Sequence, residues 1–319
     1  MTRSYLLAVA TLALGGCATV SVDMPVAAAE APNENPGQTY RVYFLGGQSN
    51  MEGFGFTDEL SADLRSPTPI PIFHGKTVGD GKPGGGVGTW TMLRPGHGTG
   101  FDADSRANTY SDRFGPELTF GREIGRLQPN QRIAIIKYAR GGTGLIDGVS
   151  GYGSWDPDYT AENARNQYDN ALTAIDRALT TRDIDGDGHR DTLVPAGIVW
   201  MQGEADAYDN EPAANNYANN LARLMRLLRA ALKDDDLPVV IGRIRDSGDS
   251  EANRVMKFSP LVRAQQGVFV EDDACAALVT ATDEVGFLGD GWHYLSNDYV
   301  TLGREFAKSM HQLEARCGN

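Results

Sequence analysis

From Tyr40 onward the apolar positions fall into two alternating rhythms. Short runs rich in β-branched and aromatic residues, at 39–45, 132–139, 196–201, 238–244 and 276–281, read as buried strands. Between them the apolar residues recur every three or four positions. Leu118, Ile124 and Leu127 mark one helix, entered through Pro116; Tyr168, Leu172, Ile175 and Leu179 mark a second. Tyr217, Leu221, Leu224, Leu228 and Leu232 mark a third. Ser259-Pro260 opens a fourth, with serine as cap and proline in the first turn. Ser296 caps a last one carrying Tyr299, Leu302, Phe306, Met310 and Leu313. Such alternation predicts an α/β fold: a five-stranded parallel sheet with helices on both faces, a three-layer α/β/α sandwich. No internal repeat and no second domain boundary is visible. The exception to regularity is 54–114, with glycine clusters such as Lys82-Pro-Gly-Gly-Gly-Val-Gly88. It is expected to be a long loop insertion, and Trp90, Phe101, Tyr110 and Phe114 favour an ordered cover over the site.

The amino end follows neither rhythm. Arg3 precedes an apolar run, Tyr5 to Leu14, too short to span a bilayer as a helix, and Leu14-Gly15-Gly16-Cys17 follows. A basic residue, a short apolar stretch and small residues lay out a secretory signal over 1–16. Cysteine after Leu-Gly-Gly resembles the bacterial lipobox, which implies lipidation at Cys17 and a membrane anchor, in the outer membrane or facing the periplasm. The alternative is a signal peptide cut near Ala27-Ala28-Ala29 and a secreted product. Residues 17–38 then form a tether without a core-forming pattern, leaving 39–319 as one domain. Export also permits a disulfide between Cys275 and Cys317, the two remaining cysteines, whereas neither has the neighbours of a zinc site.

Charge narrows the partners. With 42 acidic against 29 basic residues and a formal net charge of −13, the chain is not built to bind nucleic acid.

Ligands of open parallel sheets bind beyond the carboxyl ends of the strands. Here four strands release polar, glycine-rich turns onto that edge: Gly46-Gly47-Gln48-Ser49-Asn50, Arg140-Gly141-Gly142-Thr143, Gln202-Gly203-Glu204 and Asp290-Gly291-Trp292-His293. A serine hydroxyl becomes a nucleophile when a histidine steered by a carboxylate removes its proton. Asp290 and His293, three apart, can meet in one turn, leaving the imidazole to face Ser49. The backbone N–H groups of Ser49 and Gly141 and the side-chain amide of Gln202 could serve the oxyanion. A glycine at 141 allows backbone to approach a substrate closely.

Gly47-Gln48-Ser49-Asn50-Met51, Gly141-Gly142-Thr143, Trp200-Met-Gln-Gly-Glu-Ala-Asp206 and Asp290-x-x-His293 together resemble the sialate O-acetylesterase-type branch of the SGNH (GDSL-like) hydrolases. That branch includes the sixth carbohydrate esterase family, with its acetylxylan esterases. Phe114-Gly-Pro-Glu117 and Phe120-Gly-Arg122 are similar to it as well. The resemblance implies a flavodoxin-like three-layer fold and deacetylation of acetylated oligo- or polysaccharides, of acetylxylan or O-acetyl sialic acid type, with no cofactor for catalysis. It implies Ser49 as nucleophile, His293 as base, Asp290 as its orienting acid, and Gly141 or its neighbour Gly142 with Gln202 in the oxyanion hole. Gln48, Asn50, Glu117 and Glu204 are expected to support the site. The competing readings are a surface lipoprotein that binds glycan without turnover, and an esterase of non-sugar small esters.

One further motif lies apart. Asp183, Asp185, Asp187 and Asp191 occupy the first, third, fifth and ninth places of a calcium-loop pattern, with glycine sixth and the His189 carbonyl seventh. Val194 stands where an EF-hand has its bidentate glutamate. A structural calcium, away from the catalytic edge, is the expectation.

Overall fold

In the computed structural model, residues 37–248 and 250–317 are described. The expected signal peptide, Cys17 and all but the last two residues of the tether lie outside them. Strands β1 (Thr39–Gly47), β2 (Thr68–His74), β3 (Trp90–Leu93), β4 (Arg132–Ala139), β5 (Thr192–Met201), β6 (Val239–Gly242) and β7 (Ala276–Val279) form one sheet in the order β7-β6-β5-β1-β4-β2-β3. All neighbours pair in parallel except β3, which runs antiparallel on β2. The central strands are apolar on both faces: Tyr43, Phe44, Leu45, Ile135, Ile136, Val199, Trp200 and Val240 are all inaccessible to solvent. Strands covered from both sides must be continuously apolar, which is why these runs lack the alternation of a half-exposed strand.

The short helix α1 (Ser49–Glu52) follows β1. Then come α2 (Glu117–Leu127), α3 (Gln167–Thr180), α4 (Tyr217–Leu232), α5 (Ser259–Asp272) and α6 (Ser296–Cys317). Helices α2 and α6 pack together on one face; α3, α4 and α5 cover the other. Helix α3 begins with a capping box in which Asn166 and Asp169 each accept from the other's backbone N–H. Ser296, expected as the cap of α6, is its first residue, and its hydroxyl accepts from the Phe56 N–H (2.9 Å), tying the helix to the segment after α1. Helix α5 includes Ser259 as its first residue, so its cap falls one residue earlier, on Phe258.

The 54–114 stretch departs from the expected loop. It supplies β2 and β3 and so widens the sheet from five strands to seven. Two prolines disguise β2, Thr68-Pro-Ile-Pro-Ile-Phe-His74, as a non-strand. They are tolerated because the ladder to β4 runs only through Ile72, Phe73 and His74, beyond both prolines. The aromatic residues act mainly as a local core. Phe101 stacks on His74 with ring centroids 4.0 Å apart, His97 packs edge-on to Tyr110, and Trp90 packs on Phe73.

Cys275 and Cys317 are joined, as export would allow, with Cα atoms 5.6 Å apart. The bridge fastens the end of α6 beside the start of β7. Replacing both cysteines by serine should cost about 3–4 kcal/mol, the loop-closure entropy of a crosslink of this span. Guanidinium unfolding of the oxidised protein and the variant checks this, and equal midpoints would show that the crosslink does not stabilise the fold.

Candidate active site

The chain passes from β1 first to β2, β3 and β4 on one side of it and afterwards to β5, β6 and β7 on the other. A crevice opens at such a switch of direction, and Ser49 stands at its mouth, at the carboxyl end of β1. Gly47 makes the sharp exit. Its φ is +142°, and a Cβ there would lie 2.0 Å from the Met201 carbonyl oxygen, so no other residue fits. The Gln48 N–H donates to that same carbonyl (2.9 Å), and the Gln48 side-chain oxygen accepts from the N–H groups of Gly203 and Ala205. The turn that carries Ser49 is thus pinned to the end of β5.

A cleft of about 710 Å³ contains Ser49 and His293 on its wall, together with Glu52, Phe54, Arg140 and Gly142. The His293 Nδ1–H donates to Asp290 Oδ2 at 2.7 Å, while Asp290 Oδ1 accepts from the N–H groups of Trp292 and His293. Partial burial pushes the Asp290 carboxyl up, but these bonds outweigh it and hold the group below the usual aspartate range. Phe54 stacks on the imidazole with centroids 3.5 Å apart and planes within 6°. Among the described residues no hydrogen bond joins the Ser49 hydroxyl to His293, a bond that often tightens only when substrate is present.

Asn50 links the two halves. Its side-chain nitrogen donates to the Trp292 carbonyl (3.2 Å) and to Glu204 Oε1 (2.7 Å), and its oxygen accepts from the Tyr299 hydroxyl (2.7 Å). One amide therefore holds the histidine turn against the serine helix. Glu204, expected as support, is buried and serves this bond.

The expected oxyanion hole is altered. Gln202 is fully buried, and its side-chain nitrogen donates to Asp206 Oδ2 (2.6 Å) and to the Thr143 carbonyl (3.0 Å). Both amide hydrogens are taken, so here Gln202 braces the Thr143 turn and does not line the cleft. The Gly141 N–H donates to Glu52 Oε2 at 2.6 Å. Gly142, with φ +72°, lines the cleft, and neither its N–H nor that of Ser49 is donated to another group of the described residues.

Three contributors escaped the sequence reading. Lys137, in the middle of β4 and fully buried, donates to Glu117 Oε2 (2.7 Å) and to the carbonyls of Glu52 (2.9 Å) and His97 (2.8 Å). Burial lowers its pKa, against which the Glu117 charge works. Glu117 also accepts from the Gly115 N–H, so its expected bracing role is realised through this lysine. Asp206 holds Gln202 and the Leu145 N–H. Glu52 is the third. A lysine inside a run as apolar as Ile133–Ala139 was the available signal for the first, since a buried ammonium needs a partner.

Of the proposed calcium ligands, Asp183, Asp185 and Asp187 converge at the amino end of the sheet, each with one carboxylate oxygen within 4.8 Å of the others. Asp191 does not join them: its two oxygens accept from the N–H groups of Gln38 and Ile184. Asp185 also accepts from the Tyr40 hydroxyl (2.7 Å), and the His189 N–H donates to Asp187. The loop precedes β5, so it lies away from the catalytic edge.

A family model described as carbohydrate esterase, sialic acid-specific acetylesterase matches residues 39–312. The chain belongs to that family. None of the curated proteins compared with it matches at the level of sequence. Among solved structures it resembles a protein from Arabidopsis thaliana (19% identity, TM-score 0.58, covering 87% of this chain and 99% of that one). It also resembles a carbohydrate acetylesterase from Xanthomonas citri (18%, TM-score 0.56, 87% and 56%) and NanS (17%, TM-score 0.54, 88% and 98%). At these identities the likeness establishes the shared fold, a mostly parallel α/β sheet.

Two predictions follow from the buried charges of this carbohydrate esterase. Lys137→Met leaves the Glu117 carboxylate uncompensated and should cost about 3–5 kcal/mol, with part recovered by adding Glu117→Gln; chemical denaturation of the three variants measures it. Burial raises the Glu204 carboxyl to about 7 and that of Asp206 to about 6. A carboxyl raised in the folded state binds its proton more tightly there than in the unfolded chain. The stability it contributes is complete below its ordinary pKa of 4.5 and is lost as pH rises to about 7. Glu204→Gln should flatten the dependence of melting temperature on pH between about 4.5 and 7; an unchanged slope would show that Glu204 is not the titrating group.

Proposed function

We propose that the protein removes O-acetyl groups from carbohydrates by two-step acyl transfer. The observation that carries this is the cleft wall shared by Ser49 and the His293–Asp290 pair at the carboxyl end of β1. His293 Nε2 takes the Ser49 proton as Oγ attacks the acetyl carbonyl carbon. The tetrahedral intermediate collapses with cleavage of the bond to the sugar oxygen, which leaves with the proton from His293. Water then gives a proton to His293 and attacks the acetyl-serine. Acetate departs, and Ser49 recovers its proton. The N–H groups of Ser49 and Gly142 are the donors available to the oxyanion.

The cleft favours sugars over small acyl esters. Its volume far exceeds what an acetyl group fills. Its rim carries Tyr152 and Tyr208, 68% and 55% exposed, with Trp292 beside Tyr208 at 5.6 Å between centroids. Exposed aromatic faces at a cleft suit a ligand with apolar ring faces and polar edges. The intact Ser–His–Asp set supports turnover over mere glycan binding. Export, with a lipid on Cys17, is the proposed setting, and the Cys275–Cys317 bridge agrees with an oxidising compartment.

Ser49→Ala should reduce hydrolysis of acetylated xylan, O-acetyl sialic acid and aryl acetates by about 10³-fold or more, with the melting temperature maintained. Substantial turnover by a folded Ser49→Ala protein would remove Ser49 as nucleophile. Activity of the unmodified protein on aryl esters alone would remove the sugar.

A further inference from the structure

We propose that Glu52 is a specificity residue that accepts a hydrogen bond from a free hydroxyl of the sugar next to the acetyl ester. The inference rests on the reading of the cleft as that of a carbohydrate O-acetylesterase, and it concerns which sugar acetates that cleft prefers.

Glu52 ends α1, three residues after the nucleophile, and its side chain lines the same cleft. A Cβ on Gly141 would lie 3.0 Å from Glu52 Oε2 and 3.4 Å from Ser49 Cβ, so the carboxylate and the nucleophile flank one glycine. The Gly141 N–H donates to the carboxylate at 2.6 Å, and Thr99 lines the same cleft. An ionised carboxylate offers about four acceptor positions, so acceptor capacity is left over on a residue that lines the cleft. The residue is half-buried. Burial raises the Glu52 pKa, against which the Gly141 bond and the Lys137 and Arg140 charges work. A partly desolvated acceptor with unused capacity gains from a donor that arrives with the ligand.

The substrate can supply that donor. A sugar acetylated at one position carries O–H groups on adjoining carbons, close to the ester that Ser49 must attack. Anchoring α1 does not require the carboxylate, because the Glu52 main-chain carbonyl is already held by Lys137 (2.9 Å). An aryl acetate has no such hydroxyl, and a fully acetylated sugar has had it masked.

The test compares kcat/KM on three substrates: a monoacetylated xyloside with a free vicinal hydroxyl, its peracetylated counterpart, and 4-nitrophenyl acetate. The unmodified protein should favour the monoacetate over the peracetate. In Glu52→Ala the ratio of monoacetate to aryl acetate should fall about 10- to 100-fold, the worth of one hydrogen bond to a charged group. Glu52→Gln keeps the shape and an acceptor oxygen, and should restore part of that ratio. A ratio unchanged in both variants, whether the two rates fall together or neither falls, overturns the proposal and leaves Glu52 as a brace for the Gly141 turn. If the unmodified protein cleaves the aryl acetate but neither sugar acetate, the carbohydrate reading itself fails and this inference with it.

Discussion

The site depends on an ammonium group sealed inside the protein. Lys137 uses all three of its hydrogens: on Glu117, on the carbonyl that ends the nucleophile helix, and on the His97 carbonyl in the inserted segment. Three pieces of chain far apart in sequence are thereby fixed to the central sheet from below the catalytic floor. An unmatched charge in that position would be among the costliest features a domain can carry. The arrangement survives because every donor is matched, and a change in any one of the three pieces is felt by the others.

Above that floor the polar groups are arranged in pairs that leave few choices. Gln48 reaches the end of β5, Asn50 reaches the histidine turn, and Asp206 captures Gln202. Position is specified by side-chain amides and carboxylates because the turns themselves are glycine-rich and would otherwise wander. The candidate catalytic residues sit on these turns, and rigid strands carry the turns, a division common in open α/β sheets.

Much of this could be read from the chain alone. Five of the seven strands announced themselves through unbroken apolar runs, and Ser49, Asp290 and His293 through polar turns that all leave the same sheet edge. What escaped were relationships that depend on side-chain direction. Gln202 follows a strand end and was expected to face substrate, yet Asp206, one helical turn on, draws its amide inward. Gly141 was expected to offer its N–H to the oxyanion, but the carboxylate three residues beyond Ser49 takes it. Strand β2 escaped because its prolines argue against a strand, whereas its parallel ladder to β4 begins only after them. Asp191 fits a metal-loop spacing and nevertheless serves two backbone N–H groups, since spacing along a chain does not say which way a carboxylate turns.

The near-parallel stack of Phe54 on His293 carries a consequence for proton traffic. A flat aromatic neighbour at 3.5 Å forbids the imidazole from tipping out of its plane, while Asp290 anchors one edge. What remains is a small rocking within that plane, about the anchored nitrogen. In the proposed reaction the proton would therefore shuttle along a flat arc, and the alcohol oxygen, the attacking water and the serine would all meet the imidazole at that single rim.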